Sequence, residues 1–202
     1  MNTQLPGCLA QLTSGDDQQA ESAVSALSVL SERDLPAVLS SLQVLLASPH
    51  PDHRWWALRA LAALPTPGVS SLLAGALADP DPSVRQCALL GLRLRPDPQA
   101  LPALLKALED QQSLVVELAA DALEALASVA PDAAIPALIE AAQRGPQNSR
   151  LAALRALARA GDDRAIPVLF NALEEGSALM EYWASEGLER LGVGMVFFEP
   201  QA

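Results

Sequence analysis

The chain has 202 residues, of which half are hydrophobic but only 3% are aromatic, and its formal net charge is −11 at pH 7. Leucine and alanine dominate the apolar residues, a composition that favours closely packed helices over a β-sandwich. The acidic balance, with Lys106 as the single lysine, argues against a nucleic-acid-binding surface, because such surfaces need lysine and arginine to neutralise phosphates.

Neither a targeting segment nor a disulfide framework is indicated. The first residues, MNTQLPGCLAQL, lack the charged and apolar regions of a signal peptide. No apolar run approaches the ~18 residues of a membrane span, so we predict a cytoplasmic protein without a membrane contact. The two cysteines, Cys8 and Cys87, have no metal-binding spacing, and Cys87 is predicted to be a small buried hydrophobe.

Six helices that open with an aliphatic residue, usually followed by proline, succeed one another along the chain. Their starts lie 30 to 34 residues apart, at Leu5-Pro6, Leu35-Pro36, Val69-Ser70, Leu101-Pro102, Ile135-Pro136 and Ile166-Pro167. A period in the low thirties, with two short helices per unit, is typical of an α-solenoid. We therefore predict a solenoid over residues 1–191, in units of about 1–31, 32–65, 66–97, 98–131, 132–162 and 163–191.

The second helix of each unit is clearest in the stretch 79–94, DPDPSVRQCALLGLRL. Asp81 can cap free backbone N–H groups, and Pro82 suits the first helical turn, where no N–H is needed. A small and a large apolar residue four positions apart then mark the predicted buried face. This pair recurs as Ala23–Leu27, Ala57–Leu61, Ala88–Leu92, Ala119–Leu123, Ala153–Leu157 and Ala184–Leu188.

Residues 192–202, GVGMVFFEPQA, form an apolar C-terminal tail that begins no further unit. The end of a solenoid exposes an apolar side that needs a cap. We predict either that the tail folds back as this cap on a monomer, or that matching tails form a two-fold homodimer.

The units resemble HEAT repeats, in particular the short bacterial HEAT-like type first named from phycobilisome lyase subunits. The match is sharpest at Asp79 to Leu92 and in the Ile-Pro and Leu-Pro helix openings. The resemblance implies an all-α, right-handed α-solenoid, a HEAT/armadillo-like superhelix of about six helix pairs. It also implies that the second helices line a concave face and that an aspartate and an arginine join neighbouring units. The arginine column reads Ala20, Arg54, Arg85, Val116, Arg150 and Glu181, so it is interrupted in three units.

Families with this resemblance include chromophore lyases, iron-binding hydroxylases, base-excision glycosylases and plain scaffolds, so it fixes fold better than function. A hydroxylase would need His-Glu pairs on several helices, whereas His50 and His53 lie in one turn without a following glutamate. A glycosylase would need a basic groove, whereas the second helices here are acidic. We predict no catalytic set, no cofactor and no bound metal, and therefore no enzyme.

Adjacent aromatic residues occupy equivalent places in two second helices, as Trp55-Trp56 and Tyr182-Trp183. Trp56 and Trp183 fall on the predicted buried stripe. Trp55 and Tyr182 fall on the outward column, together with Leu151 of another unit. Exposed aromatics near arginines anchor protein partners, although incidental packing at a solenoid end is the alternative for these three residues.

The sequence thus predicts a non-enzymatic interaction scaffold that binds a protein or peptide on its concave second-helix face. Acidic residues around the aromatic anchors favour a partner of basic or mixed charge over nucleic acid. An alternative function, implied only by the resemblance, is a phycobilin lyase-like or chaperone-like subunit that acts on a chromophore-bearing protein. The candidate partner-binding residues are Trp55, Arg59, Leu151, Arg155 and Tyr182.

Overall fold

The computed structural model describes residues 4–66, 68–175 and 177–193, and within these ranges it contains helices and no β-strand. The α-helices are α1 (Leu5–Leu12), α2 (Asp17–Leu46), α3 (Pro51–Ala63), α4 (Val69–Gly75), α5 (Pro82–Leu94), α6 (Leu101–Ala107), α7 (Ser113–Val129), α8 (Pro131–Arg144), α9 (Gln147–Ala160), α10 (Ile166–Leu173) and α11 (Ala178–Arg190). Short 3-10 turns extend α4 at Ala76–Ala78 and precede α6 and α10 at Pro98–Ala100 and Asp163–Ala165. The predicted all-helical repeat fold is confirmed.

The chain divides into two compact units, Met1–Arg95 and Pro96–Ala202. In the C-terminal unit, α7, α9 and α11 pack against one another in order, and α6, α8 and α10 pair with the helices that follow them. In the N-terminal unit, α2, α3 and α5 pack in the same consecutive way. Each unit therefore stacks helix pairs in two layers, one of first helices and one of second helices, as solenoid repeats do.

Helix α2 joins the second helix of one predicted repeat to the first helix of the next. The two segments meet at Asp34, whose φ of −148° and ψ of 66° are not helical. Pro36 lacks a backbone N–H and restricts the residue before it, while the Asp34 carboxylate accepts a hydrogen bond from the N–H of Ala37 at 3.3 Å. A cap and a proline thus separate two helices without an intervening loop.

The predicted start of α5 is confirmed. The Asp81 side chain accepts a hydrogen bond from the N–H of Ser83 at 2.9 Å, and Pro82 is the first helical residue. A capping aspartate of this kind contributes ~1 kcal/mol relative to alanine. Asp16 caps α2 similarly, by accepting from the N–H of Gln19 at 2.9 Å.

The recurring small and large apolar pairs form the core. Every alanine of the six pairs is 0% exposed, and the leucines range from 0% to 3%. Burying a leucine side chain contributes ~1.5–3 kcal/mol, and the alanines allow neighbouring helices to approach closely. Ser149, one of the buried polar residues, donates a hydrogen bond to the carbonyl of Leu108 at the end of α6.

The prediction that Trp56 and Trp183 are buried on the core stripe is wrong. Both indoles are only half-buried, although the equivalent Cys87 and Ala152 are buried. The column is therefore not uniformly buried, since at equivalent positions Ser22 is exposed and Leu118 is half-buried.

Two further predictions remain open. The structure does not test the division into six units, and the predicted C-terminal cap or dimer contact falls mainly on residues 194–202, outside the described residues. Within the described ranges, no helix combines the length and apolar character needed to cross a membrane.

Candidate functional site

Arginines on second helices bind glutamates on the preceding second helix. In the N-terminal unit, the guanidinium of Arg59 on α3 donates a hydrogen bond to the carboxylate of Glu21 on α2, 38 residues earlier. In the C-terminal unit, Arg155 on α9 donates to the backbone carbonyl of Glu117 on α7, also 38 residues earlier, at 3.0 Å. The two contacts occupy the same place in the repeat and hold consecutive second helices together.

The contact in the C-terminal unit extends into a network. Arg155 also donates to the Asp121 carboxylate at 3.0 Å and lies 3.9 Å from that of Glu117. Arg159, one turn further along α9, lies 3.4 Å from Asp121 and 3.1 Å from Glu124. Two guanidinium groups thus face three carboxylates. Because the Arg155 side chain is only 19% exposed, most of its surface is committed to these contacts.

A small groove lies between the N-terminal halves of α7, α9 and α11. Its volume is about 160 Å³, and Leu151, Arg155 and Trp183 line it together with Val116 and Glu117. The structure therefore brings two of the predicted partner-binding residues, Leu151 and Arg155, to one place.

Tyr182 lies beside this groove. Its ring packs edge-to-face on Trp183, with centroids 5.1 Å apart and an angle of 76°. Its side chain is nevertheless exposed, at 57%, and Leu179 on the same helix is exposed at 59%. Large apolar side chains at this exposure next to a groove are the surface type that buries against a partner.

A larger pocket, of about 720 Å³, lies within the N-terminal unit. The turn 12–15 and the first turns of α2, α3 and α5 surround it. Its walls include both Trp55 and Trp56, whose rings pack edge-to-face with centroids 4.8 Å apart. Arg59 reaches this pocket only through its partner Glu21, which is one of the lining residues.

The two pockets occupy equivalent positions of the repeat. Equivalent lining residues are Glu21 and Glu117, Trp55 and Leu151, Trp56 and Ala152, and Asp52 and Asn148. Trp56 and Trp183 line the pockets although the sequence placed them in the core. The signal that could have identified them is their size, in a column that otherwise holds mainly small residues.

A second set of arginines holds the ends of neighbouring helices. Arg54 donates to both carboxylate oxygens of Asp79, at 2.7 and 2.8 Å, and to the carbonyl of Ser48. The Asp79 hydrogen bond raises the pKa of the Arg54 guanidinium, against the opposing effect of burial. Arg150 pairs likewise with Glu175. The aspartate–arginine contacts expected from the resemblance are thus present at Arg54, with a glutamate in place of the aspartate at Arg150.

Cys87, His50 and His53 are candidates for nucleophilic or metal-binding chemistry in the N-terminal unit. Burial raises the pKa of the Cys87 thiol to about 12, so the nucleophilic thiolate is suppressed at neutral pH. His50 and His53 lie together, with ring centroids 5.0 Å apart, and the Nδ1 of His53 is 3.2 Å from the Ser48 hydroxyl. Among residues 4–66, 68–175 and 177–193, no three His, Cys, Asp or Glu side chains are grouped to hold a metal ion.

Two family models match the repeats described above. The model for HEAT repeats matches residues 69–147, and the model for the PBS lyase HEAT-like repeat matches residues 149–175. This chain is a HEAT-repeat protein. The predicted resemblance is therefore confirmed, and the PBS lyase match includes Leu151 and Arg155. No curated protein sequence matches this HEAT-repeat chain significantly.

Solved structures with a similar fold are themselves repeat proteins. A designed armadillo repeat protein in complex with the peptide (KR)4 is 21% identical, with a TM-score of 0.58, and the match covers 94% of this chain and 100% of that one. The CpcE–CpcF complex of phycocyanin lyase from Nostoc sp. PCC7120 is 24% identical, with a TM-score of 0.60, covering 76% and 97%. An engineered protein is 22% identical, with a TM-score of 0.54, covering 96% and 98%. At these identities the likeness shows the fold alone.

Proposed function

We propose that this HEAT-repeat protein is a non-enzymatic protein–protein interaction scaffold that binds a protein or peptide segment on its second-helix face, the face predicted above to be concave. The observation that carries the proposal is the groove lined by Leu151 and Trp183, beside the exposed Tyr182. A groove with aromatic and aliphatic walls next to an exposed tyrosine offers the buried anchor and the rim that interaction hot spots need.

The arginine contacts around this groove support a scaffold. Arg155 binds α7 from α9, and Arg190 on α11 donates to the carbonyl of Arg159 near the end of α9 at 3.1 Å. Side-chain contacts thus link all three second helices, so little ordering accompanies binding of a partner. Such preorganisation lowers the entropic cost of association.

The charge of this surface favours a partner of basic or mixed charge. The network on α7 and α9 contains three carboxylates and two guanidinium groups, and Glu181 and Glu189 on α11 are exposed. Within the described part of the chain, neither of these glutamates forms an ion pair. The peptide (KR)4 bound by the designed armadillo repeat protein is a precedent for basic segments on such folds.

The proposal is tested by partner capture with matched variants. The full chain, immobilised and exposed to lysate of its native cell, is compared with Leu151→Glu, Tyr182→Ala and Val44→Glu. Val44 is 71% exposed and lies on the first-helix part of α2, so its variant adds the same charge away from the groove. We expect the two groove variants to lose at least about tenfold in affinity for the purified partner, while Val44→Glu binds normally. Equal binding by all four proteins refutes the proposal.

A second candidate function is the handling of a bilin chromophore, in the manner of a lyase-like or chaperone-like subunit. The match of residues 149–175 to the PBS lyase HEAT-like repeat and the likeness to the phycocyanin lyase complex favour it. A bilin that binds to the full chain should shift its visible absorption on titration, and Trp183→Ala should reduce that shift. An absorption spectrum unchanged by the protein excludes this candidate.

A further inference from the structure

The 720 Å³ pocket of the N-terminal unit has the dimensions of a binding site for several side chains of an extended segment, since ligand pockets commonly measure ~300–1,000 Å³. It lies beside the start of α3, where Trp55 and Trp56 form one wall. Both indoles are half-buried, so they contribute apolar and π surface to the pocket while the core holds them in place.

The charge of the lining residues determines which kind of ligand this aromatic pocket can bind. Asp17, Glu21 and Asp52 line it together with His50 and His53, which are counted as neutral at pH 7, and no lysine or arginine of the described chain does. Glu21 is compensated by Arg59, whereas Asp17 and Asp52 form no side-chain hydrogen bond or ion pair with any described residue. Each lies in the first turn of a helix, where the helix dipole offsets part of its charge. The pocket nevertheless retains a negative surplus.

Tryptophan walls with carboxylates at the rim are complementary to a guanidinium group. The indole face attracts a cation, at ~0.5–2 kcal/mol, and a planar guanidinium can stack on it while donating paired hydrogen bonds to carboxylates. We propose that this pocket binds an arginine side chain of a basic partner segment. The inference extends the proposed scaffold function to the N-terminal unit and names the side chain that this unit recognises.

The test uses the full chain and three labelled octapeptides with blocked ends: alternating Gly-Arg, the lysine equivalent, and the citrulline equivalent, in which a neutral isostere replaces each arginine. Fluorescence anisotropy gives the dissociation constants. We expect the arginine peptide to bind most tightly, the lysine peptide more weakly and the citrulline peptide weakest. Absence of arginine-peptide binding, or equal binding of the arginine and citrulline peptides, overturns the inference. Equal binding of lysine and arginine overturns the assignment to arginine.

Two variants connect this binding to the pocket. Asp17→Asn with Asp52→Asn should weaken arginine-peptide binding about fivefold, from ~0.5 kcal/mol for each exposed ion pair. The control is Glu32→Gln with Glu109→Gln, which removes the same charge from two exposed positions outside the pocket and should leave binding within twofold of the unmodified chain.

Trp55→Ala should weaken the same binding about tenfold, and Trp55→Phe, which keeps an aromatic ring, should recover part of the loss. Circular dichroism melting checks that each variant is folded. Equal effects of the two charge pairs overturn the inference, because binding then reflects net charge alone. That outcome leaves the scaffold proposal intact, since the latter is tested separately, with the Leu151 and Tyr182 variants and the captured partner.

Discussion

The close approach of α11 to α9 at Gly187 offers a quantitative test of the packing. Gly187 lies on α11, and a Cβ atom added there would lie 2.9 Å from both the Cα and the Cβ of Ala158 on α9, and 3.0 Å from the Cδ1 of Leu169. Because one of these atoms belongs to the backbone of α9, the Gly187→Ala variant can fit only if the two helices separate.

Gly91 occupies the equivalent position of α5 and is the matched control. A Cβ atom there would lie 2.9 and 3.0 Å from the two δ-methyl groups of Leu73 and 3.3 Å from the Cβ of Ala62. The leucine methyls are the far end of a flexible side chain, so a change of rotamer relieves most of the overlap. The two glycines thus share a position in the repeat and differ in what a methyl group meets.

The expected change in the free energy of unfolding differs between the two variants. Alanine is favoured over glycine inside a helix by ~1 kcal/mol, whereas overpacking costs ~1–3 kcal/mol when the surroundings cannot adapt. For Gly187→Ala the difference between these two terms is a net loss of up to about 2 kcal/mol, which for a chain of this length lowers the melting temperature by up to ~8 °C. For Gly91→Ala the two effects nearly cancel, and we expect a change below ~0.5 kcal/mol.

Urea unfolding followed by far-UV circular dichroism measures both variants. In a Trp55→Phe, Trp56→Phe background, the remaining Trp183 also reports on α11 by fluorescence. If Gly187→Ala raises the midpoint as propensity alone predicts, the close approach of α11 and α9 is wrong. An equal loss in Gly91→Ala would contradict the distinction between backbone and side-chain neighbours.

Three further predictions concern the core and its polar contacts. Ala119→Leu places a large side chain in a fully buried column and should cost about 1–3 kcal/mol; an unchanged urea midpoint would show that the column accepts bulk. Hydrogen bonds from Arg164 hold the pKa of Asp162 below its ordinary value of 3.8, so this carboxylate stabilises the fold above that pH and its contribution is lost as the pH falls through the lowered pKa. Asp162→Asn should therefore lower the urea midpoint more at pH 7 than at pH 2, and an equal effect at both would contradict this account. In a Cys8→Ser background, Cys87 should react with a thiol reagent only at the rate of unfolding, because its thiol is buried and its pKa is raised to about 12; fast labelling of the folded protein would contradict its burial.

Much of the fold could be predicted because helix caps, prolines and apolar periodicity recur from repeat to repeat and act over short stretches of the chain. The cap at Asp81 and the proline at Pro82 act within one turn, so their geometry depends little on the rest of the chain. The buried alanine and leucine pairs follow from helical periodicity alone. The join within α2 shows the limit of such rules, since Pro36 indicates a new helix but not that the preceding helix runs into it without a loop.

The candidate site was less predictable because its residues depend on contacts between repeats. Trp56 and Trp183 carry the periodicity of core residues, yet both are half-buried and each lines a pocket between helices. The sequence predicts that Arg59 and Arg155 bind a partner, from their place beside aromatic residues. The structure adds that each binds the preceding second helix, which requires the register between repeats. Their contact with a partner stays a prediction.

That register also accounts for where the pockets occur. Glu21 and Arg59 occupy one position each on two consecutive second helices. The equivalent pairs within the compact units are Trp55 with Leu90, Glu117 with Arg155, and Leu151 with Glu186. Where the first position is glutamate, the second is arginine and the two bind each other. Where it is apolar, the second is not arginine, and the apolar residue lines a pocket. The glutamates of the joined pairs line the same pockets, Glu21 with Trp55 and Glu117 with Leu151. Each pocket therefore combines a position that joins neighbouring helices with an apolar position from which one of the two proposals starts.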